Sequence, residues 1–359
     1  MSHDPLFQRI ESYRRRAGRV REDVITQAHG GGGRAMRDLI DDVVLRSLGD
    51  GVQVEEDQAR FDLASLAKSG DRLAFTTDSY VVSPLEFPGG DIGTLAVNGT
   101  VNDLAVGGAI PRFLSLGLVI EEGLPVATLR RILESLGRAA KEAGVQVVTG
   151  DTKVVQRGAA DQLFINTSGV GVIPAGVNVS SRGLREGDVL LVNGYLGDHG
   201  AAILVGRGEL KLETDIPSDC APLNGLVQAL LAEVEVHALR DVTRGGLSAV
   251  VNELALASEV GIRVDEAALP VRQEVRGFCE ILGLDPVHLA NEGKLVAAVP
   301  AEHAERALEV LRAHPLGENA AVIGHCTSEV PRGVVTMRTG FGGERVLDML
   351  VGSQLPRIC

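Results

Sequence analysis

Between residues 73 and 172, four short runs rich in β-branched and apolar residues (LAFTT, RFLSLGLVI, VQVVTG and QLFINTSGVGVI) alternate with helix-like stretches, of which Val126–Ala143 is the clearest. Strands that alternate with amphipathic helices must bury both kinds of apolar face in one layered core, so this region reads as a mixed α/β domain. Around PAGVNVSSRGLREGD (174–188) the Pro, Gly and Ser content rises before a new strand, DVLLVNG, which marks a domain boundary. Beyond it, helices near 200–205, 246–257 and 302–313 and the strand KLVAAVP form a second domain. The expected organisation is an N-terminal extension, glycine-rich loop and helix (1–45), a first domain (46–174), a second domain (175–335) and a tail (336–359). That tail reads as an extended arm from Phe341 onward. At 359 residues and 45% hydrophobic, the chain can fill cores of this size.

A formal net charge of -13 argues against nucleic acid or an anionic membrane as partner, since both need a concentrated positive field. Only 3% of residues are aromatic and none is tryptophan, which leaves little for stacking bases. The arginine cluster of Arg14, Arg15, Arg16, Arg19 and Arg21 is followed by no apolar h-region and reads as a solvated extension. No apolar run is long enough to cross a bilayer, so a soluble, cytoplasmic protein is expected.

Cys220, Cys279, Cys326 and Cys359 are widely spaced, with no CxxC pair and no histidine at zinc-finger spacing. The first three read as small buried hydrophobes. Cys359 is the last residue, in PRIC, where burial is hard to arrange. A CaaX anchor requires its cysteine four places from the end, so lipidation is not the reason. A mobile arm ending in a nucleophile suggests a tethered substrate that raises its own concentration at an active site.

Several residues have the chemistry to serve such a site. Gly31, Gly32 and Gly33, in HGGGG ahead of a helix with Met36, Leu39, Ile40, Val43, Val44 and Leu48 on one face, offer backbone N–H groups to phosphate; a merely flexible connection is the alternative. Asp78, Asp103 and Asp151, with Asp57 from EEDQA, each follow or adjoin the end of an element and are hard oxygen ligands suited to Mg²⁺, although singly each could be a cap. Asp241 in LRDVTRGG repeats the placement. Thr152 and Lys153 follow Asp151 directly, and Lys153, one of five lysines, could neutralise a phosphate or move a proton, or be a surface lysine. Glu292 in NEGKL suits a general base or an ordinary turn. His199 in GDHG suits ligand contact or a cap.

The stretch FTTDSYVVSPLEFPGGDIGTLAVNGTVNDLAVGGAIP, with VTGDTKVV, INTSGVGVIP, GDHG, DVTRGGL, NEGKL and terminal PRIC, resembles the hydrogenase-maturation family HypE, in the PurM-like superfamily, from about residue 24 to the end. Asn98 departs from the family pattern, where cysteine is more usual. The resemblance implies an α+β, PurM-like two-domain architecture whose N-terminal sheet pairs with that of a second copy in a homodimer. It implies that a carbamoyltransferase, HypF, loads Cys359, that ATP-dependent dehydration turns the thiocarbamate into a thiocyanate, and that a HypC–HypD complex accepts the cyano group. ATP and Mg²⁺ are the implied cofactors, with Asp57, Asp78, Asp103 and Asp151 holding the metal, Lys153 and Glu292 dividing the cation and base roles in either order, and Arg357 steering the tail or serving recognition. A nucleotide-binding carrier of the thiol, or another PurM-like synthetase, is the alternative.

Overall fold

The computed structural model describes residues 18–49, 58–208, 216–352, 355 and 357–359. The first half is built on a four-stranded sheet in the order Arg72–Tyr80, Leu163–Ile173, Ile110–Glu121, Gln146–Val155. The last two pair in parallel and the others antiparallel. Two helices, Ile92–Val106 and Val126–Ala143, cover one face. The second helix follows its sequence pattern: Leu129, Ile132, Leu133 and Leu136 fall on one stripe and are buried, each stabilising by about 2 kcal/mol. It ends where Gly144 adopts the left-handed conformation, φ 70°.

Ile92–Val106 is buried almost all round, because it is covered by the sheet and Val126–Ala143 and, through Ala105 and Val106, by the core of the second domain. Asp91 caps it, accepting from the backbone N–H of Gly93 and Thr94 at 2.8 and 2.9 Å. A Cβ at Gly99 would stand 2.4 Å from the Tyr80 hydroxyl, so glycine is what lets the strand Arg72–Tyr80 lie against this helix.

Among the described residues the opposite face of the sheet is largely uncovered. Along Arg72–Tyr80, Thr76, Asp78 and Tyr80 face the helix side, while Leu73 and Phe75 point outward at 57% and 71% exposure. Phe61 stacks on Phe113, with ring centroids 4.3 Å apart.

The second half contains a seven-stranded sheet in the order Glu344–Val346, Val335–Arg338, Ile262–Asp265, Ala321–Cys326, Val189–Val192, Leu295–Val299, Ala238–Asp241. Helices cover both faces, so alternate residues of Leu295–Val299 enter two different cores and the strand is buried throughout. The segment expected to be an extended arm from Phe341 instead adds Glu344–Val346 to the sheet edge and buries Leu347, since its backbone pairs with Val335–Arg338. Cys279 and Cys326 are buried as expected, Cys220 is half-buried, and all four cysteines are free. Among the described residues no helix is long and apolar enough to cross a membrane.

Candidate active site

The chain end is docked. The Val81 N–H donates to the main-chain oxygen of Cys359 and the Ser83 N–H to the carbonyl of Arg357, both at 3.2 Å, extending the line of the strand Arg72–Tyr80. Arg207 donates to the carbonyls of Ser83 (3.0 Å) and Arg357 (3.1 Å). The Arg357 side chain donates to the Val81 carbonyl at 3.1 Å and pairs with Asp161, so it secures the tail. Ile358 is buried, and His199 Nε2 lies 2.8 Å from its carbonyl oxygen. A carbonyl only accepts, so Nε2 carries the proton, and Nδ1, 2.8 Å from Ser218 Oγ, accepts from that hydroxyl. Burial holds His199 below the usual histidine value, despite the nearby Asp219 and the bond to Ile358.

Cys359 lines a cavity with Arg244, Gly245, Ala249, His288 and Ala290. Burial, and then the neighbouring Glu292, push its thiol far above the ordinary cysteine range, with Arg244 opposing. Docked, the thiol is therefore held in its protonated, weakly nucleophilic form.

Glu292 is 3% exposed, and its Oε1 has no hydrogen-bond partner among the described residues. Burial first, then the carboxylates of Asp219, Asp241 and Asp78, raise its proton affinity well above the ordinary range. Its backbone is fixed on both sides: the N–H donates to Asp219 Oδ1 at 3.0 Å, and the carbonyl accepts from Asn102 Nδ2 at 3.1 Å. Asp219 is held ionised against its burial by Lys294, 3.0 Å away. Asp219 and Asn102 were not evident as site residues in the sequence, although Asn102 adjoins Asp103 in VNDLA.

Asp103 and Asp241 line one recess between the domains. Burial raises both proton affinities; Asp78 adds to the effect on Asp103, and Asp103 adds to that on Asp241, which reaches about 6. Thr76 Oγ1 donates to Asp103 at 2.9 Å. Among the described residues no three His, Cys, Asp or Glu side chains close a metal site. Mg²⁺, however, commonly takes one or two carboxylates and completes its shell with phosphate oxygens and water, and two crowded carboxylates with raised proton affinity suit that demand. Asp57 lies outside the described residues, as does Pro356 of PRIC.

The remaining candidates gather elsewhere. Asp151 and Lys153 form an exposed pair, Nζ to Oδ1 2.7 Å, on Gln146–Val155, which is the sheet edge opposite the Asp78 strand. With strands spaced by about 4.8 Å, the two edges lie roughly 14 Å apart. Asp151 pairs across the sheet with Gly117, which in turn pairs with Asn166, placing it on the open face; the Lys153 pair holds its carboxyl low. The glycine loop packs on the same edge: a Cβ at Gly30 would meet Val154 at 2.8 Å, whereas Gly32 and Gly33 face open space. Thr152 departs from the expectation that it meets ligand. Its side chain is buried, lining an apolar pocket with Met36, Ile40, Leu116 and Val147, because strand alternation turns it away from Asp151 and Lys153.

Residues 55–173 match the N-terminal domain, and residues 185–336 the C-terminal domain, of the family described as AIR synthase related protein. The chain is 56% identical over 344 residues to carbamoyl dehydratase HypE of Rhodobacter capsulatus, spanning 95% of this chain and 99% of that one. The chain belongs to the HypE family. A crystal structure of hydrogenase maturation protein HypE in complex with ATP superposes with TM-score 0.88 at 50% identity, over 93% of this chain and 99% of that one. A structure of a HypE–HypF complex superposes with TM-score 0.75 at 48% identity, over 77% of this chain and 90% of that one. The α+β, PurM-like architecture expected from the sequence is the one observed.

Proposed function

We propose that this chain is an ATP-dependent carbamoyl dehydratase of hydrogenase maturation that converts the S-carbamoyl group on its own Cys359 to a thiocyanate. The observation that carries this is Cys359, the last residue, seated in a cleft beside the buried Glu292. The carbamoyl oxygen attacks the γ-phosphorus of ATP, the bond to the β-phosphate oxygen breaks and ADP leaves, while one N–H proton passes to a base. The C–O bond then breaks, phosphate departs with its electron pair, the second N–H proton is lost, and S–C≡N remains. Glu292, with raised proton affinity and a free oxygen, is that base.

Mg²⁺, held by Asp78 and Asp103 with Asp241 nearby, would organise the phosphates and neutralise their charge. HypF is the carbamoyl donor, which fits a family relative crystallised with HypF, and a HypC–HypD complex is the cyano acceptor in the cytoplasm. The domains divide at 46–174 and 175–335, and the tail undocks to visit its partners. The open sheet face, with Leu73 and Phe75 outward, is the homodimer contact. Lys153, Asp151 and the glycines Gly31 to Gly33 sit by the far edge of that sheet. They therefore act across the dimer, on a nucleotide whose reacting end meets the other copy's Cys359.

The test is to load Cys359 with a carbamoyl group and add Mg-ATP. Loss of one water from the C-terminal peptide, with ADP and phosphate released, is expected. An unchanged carbamoyl mass would favour a nucleotide-binding carrier instead.

A further inference from the structure

Carbamoyl phosphorylation places a phosphate, with about two negative charges near neutral pH, on an oxygen attached through one carbon to Cys359 sulfur. Its surroundings are acidic: Glu292 and Asp78 both act on the thiol. The cation proposed from sequence, Lys153, is engaged by Asp151 on the opposite sheet edge. Other cations around the cleft are also occupied, Lys294 by Asp219, Arg240 by Glu253 and Arg357 by Asp161.

Arg244 differs. It lines the cavity that holds Cys359, yet it makes no hydrogen bond or ion pair among the described residues. Its side chain is exposed, while the backbone that carries it is held in place. Val242 donates to the Lys294 carbonyl at 2.8 Å and accepts from the Asn291 N–H at 3.0 Å, which zips the turn carrying Arg244 to the segment carrying Glu292. Gly245 and Gly246 follow at φ 81° and 64°, conformations that suit glycine, and a Cβ at Gly246 would stand 2.5 Å from the Val287 carbonyl. The turn is thus pressed against its neighbour and leads directly into the thirteen-residue helix Gly246–Ser258, whose first turn also faces the cavity through Ala249.

We propose that Arg244 is a catalytic residue of the dehydration: its guanidinium binds the phosphorylated carbamoyl oxygen and follows the charge onto phosphate as the C–O bond breaks. This rests on the dehydratase reading above. A planar, permanently charged fork suits a phosphate monoester, and a donor aimed at developing oxygen charge is commonly worth about 100-fold in rate. Arg244 leaves the proton transfers to Glu292, so the two groups divide the elimination between charge and proton.

The experiment compares wild type, Arg244→Gln, Arg244→Lys and Arg244→Ala, each S-carbamoylated and then given Mg-ATP in single turnover. The expected result is a fall in dehydration rate of about 100-fold in Arg244→Gln, a smaller fall in Arg244→Lys, and partial rescue of Arg244→Ala by added guanidinium ion. Nucleotide affinity and the rate at which iodoacetamide alkylates unloaded Cys359 should change less than about threefold. Alkylation that accelerates by the same factor as dehydration slows would make Arg244 an anchor of the chain terminus and overturn the proposal. A wild-type dehydration rate in Arg244→Gln would overturn it as well. Should Arg244→Gln fail to fold, Arg244→Lys and guanidinium rescue of Arg244→Ala still decide. If the wild type itself loses no water, the dehydratase reading fails rather than this inference alone.

Discussion

His199 Nε2 and the backbone carbonyl of Ile358 lie 2.8 Å apart, across 159 residues of sequence. A side chain with no exposed surface thus holds the chain one residue from its end. When the tail leaves, that N–H must find water, so the histidine favours the docked state by the net worth of one buried hydrogen bond, about 1 kcal/mol.

Replacing the ring should therefore free the tail. In His199→Leu, iodoacetamide alkylation of Cys359 is expected to accelerate about fivefold, while the rate of carbamoyl loading does not fall. An unchanged alkylation rate would show that the backbone bonds to Val81 and Ser83 suffice by themselves.

Docking should also weaken in acid. Burial lowers the proton affinity of His199 in the docked state, so the released state binds the proton more readily. Docking is fully supported above the ordinary histidine value of 6.5 and is lost as pH falls below it toward the docked value. Cys359 alkylation, divided at each pH by that of a free peptide with the same last four residues, should rise below that point. In His199→Leu the ratio should stay flat.

Glu292 governs the pH dependence of turnover. Its raised proton affinity means that it still holds a proton at pH values where an ordinary carboxyl has lost one, so the acid limb of the dehydration rate should lie above the carboxylate range. Glu292→Gln should keep the fold and lose at least about 100-fold in single-turnover rate. A limb near 4.5, the ordinary glutamate value, would remove Glu292 as the base.

Asp219 supports that base from behind and should be costly to lose. Asp219→Ala leaves Lys294 with a buried unpaired charge and frees the Glu292 and Gly293 N–H groups, so about 3–5 kcal/mol of stability should go. Chemical denaturation of both proteins measures this, and a midpoint within error of wild type would contradict the pairing.

If Lys153 acts across the dimer, two dead variants should complement each other. Refolding Lys153→Ala with Cys359→Ala as an equal mixture makes about half the dimers mixed, each with one intact site, so about a quarter of wild-type activity should return. No recovery, in a mixture shown to exchange subunits, would place Lys153 in its own subunit's site or outside the reaction.

Much of this was legible along the chain. The helix Val126–Ala143 appears over its expected span because amphipathic spacing and the glycine that stops it are local properties. Asp78, Asp103, Glu292 and Cys359 stood out because their residue types and neighbours already carry the chemistry; in the structure Glu292 and Asp78 act electrostatically on the Cys359 thiol, and Asp78 on Asp103. By contrast, Asn102 gripping the Glu292 carbonyl joins residues 190 apart. Asp219 acts through backbone amides, and Arg244 is notable for its place in the cavity that holds Cys359. These roles depend on partners distant in sequence, which neighbouring residues do not reveal.

By itself, then, the sequence determined most of the elements and the family, because propensity, spacing and side-chain chemistry act over a few neighbours. Only the tertiary structure decided which reactive groups meet. GDTK places Asp151 and Lys153 beside one another in both descriptions, but strand order sends them to the far edge of the sheet from Asp78. Hydrogen bonding between strands that are distant in sequence sets that order, and with it which face and which edge each side chain occupies.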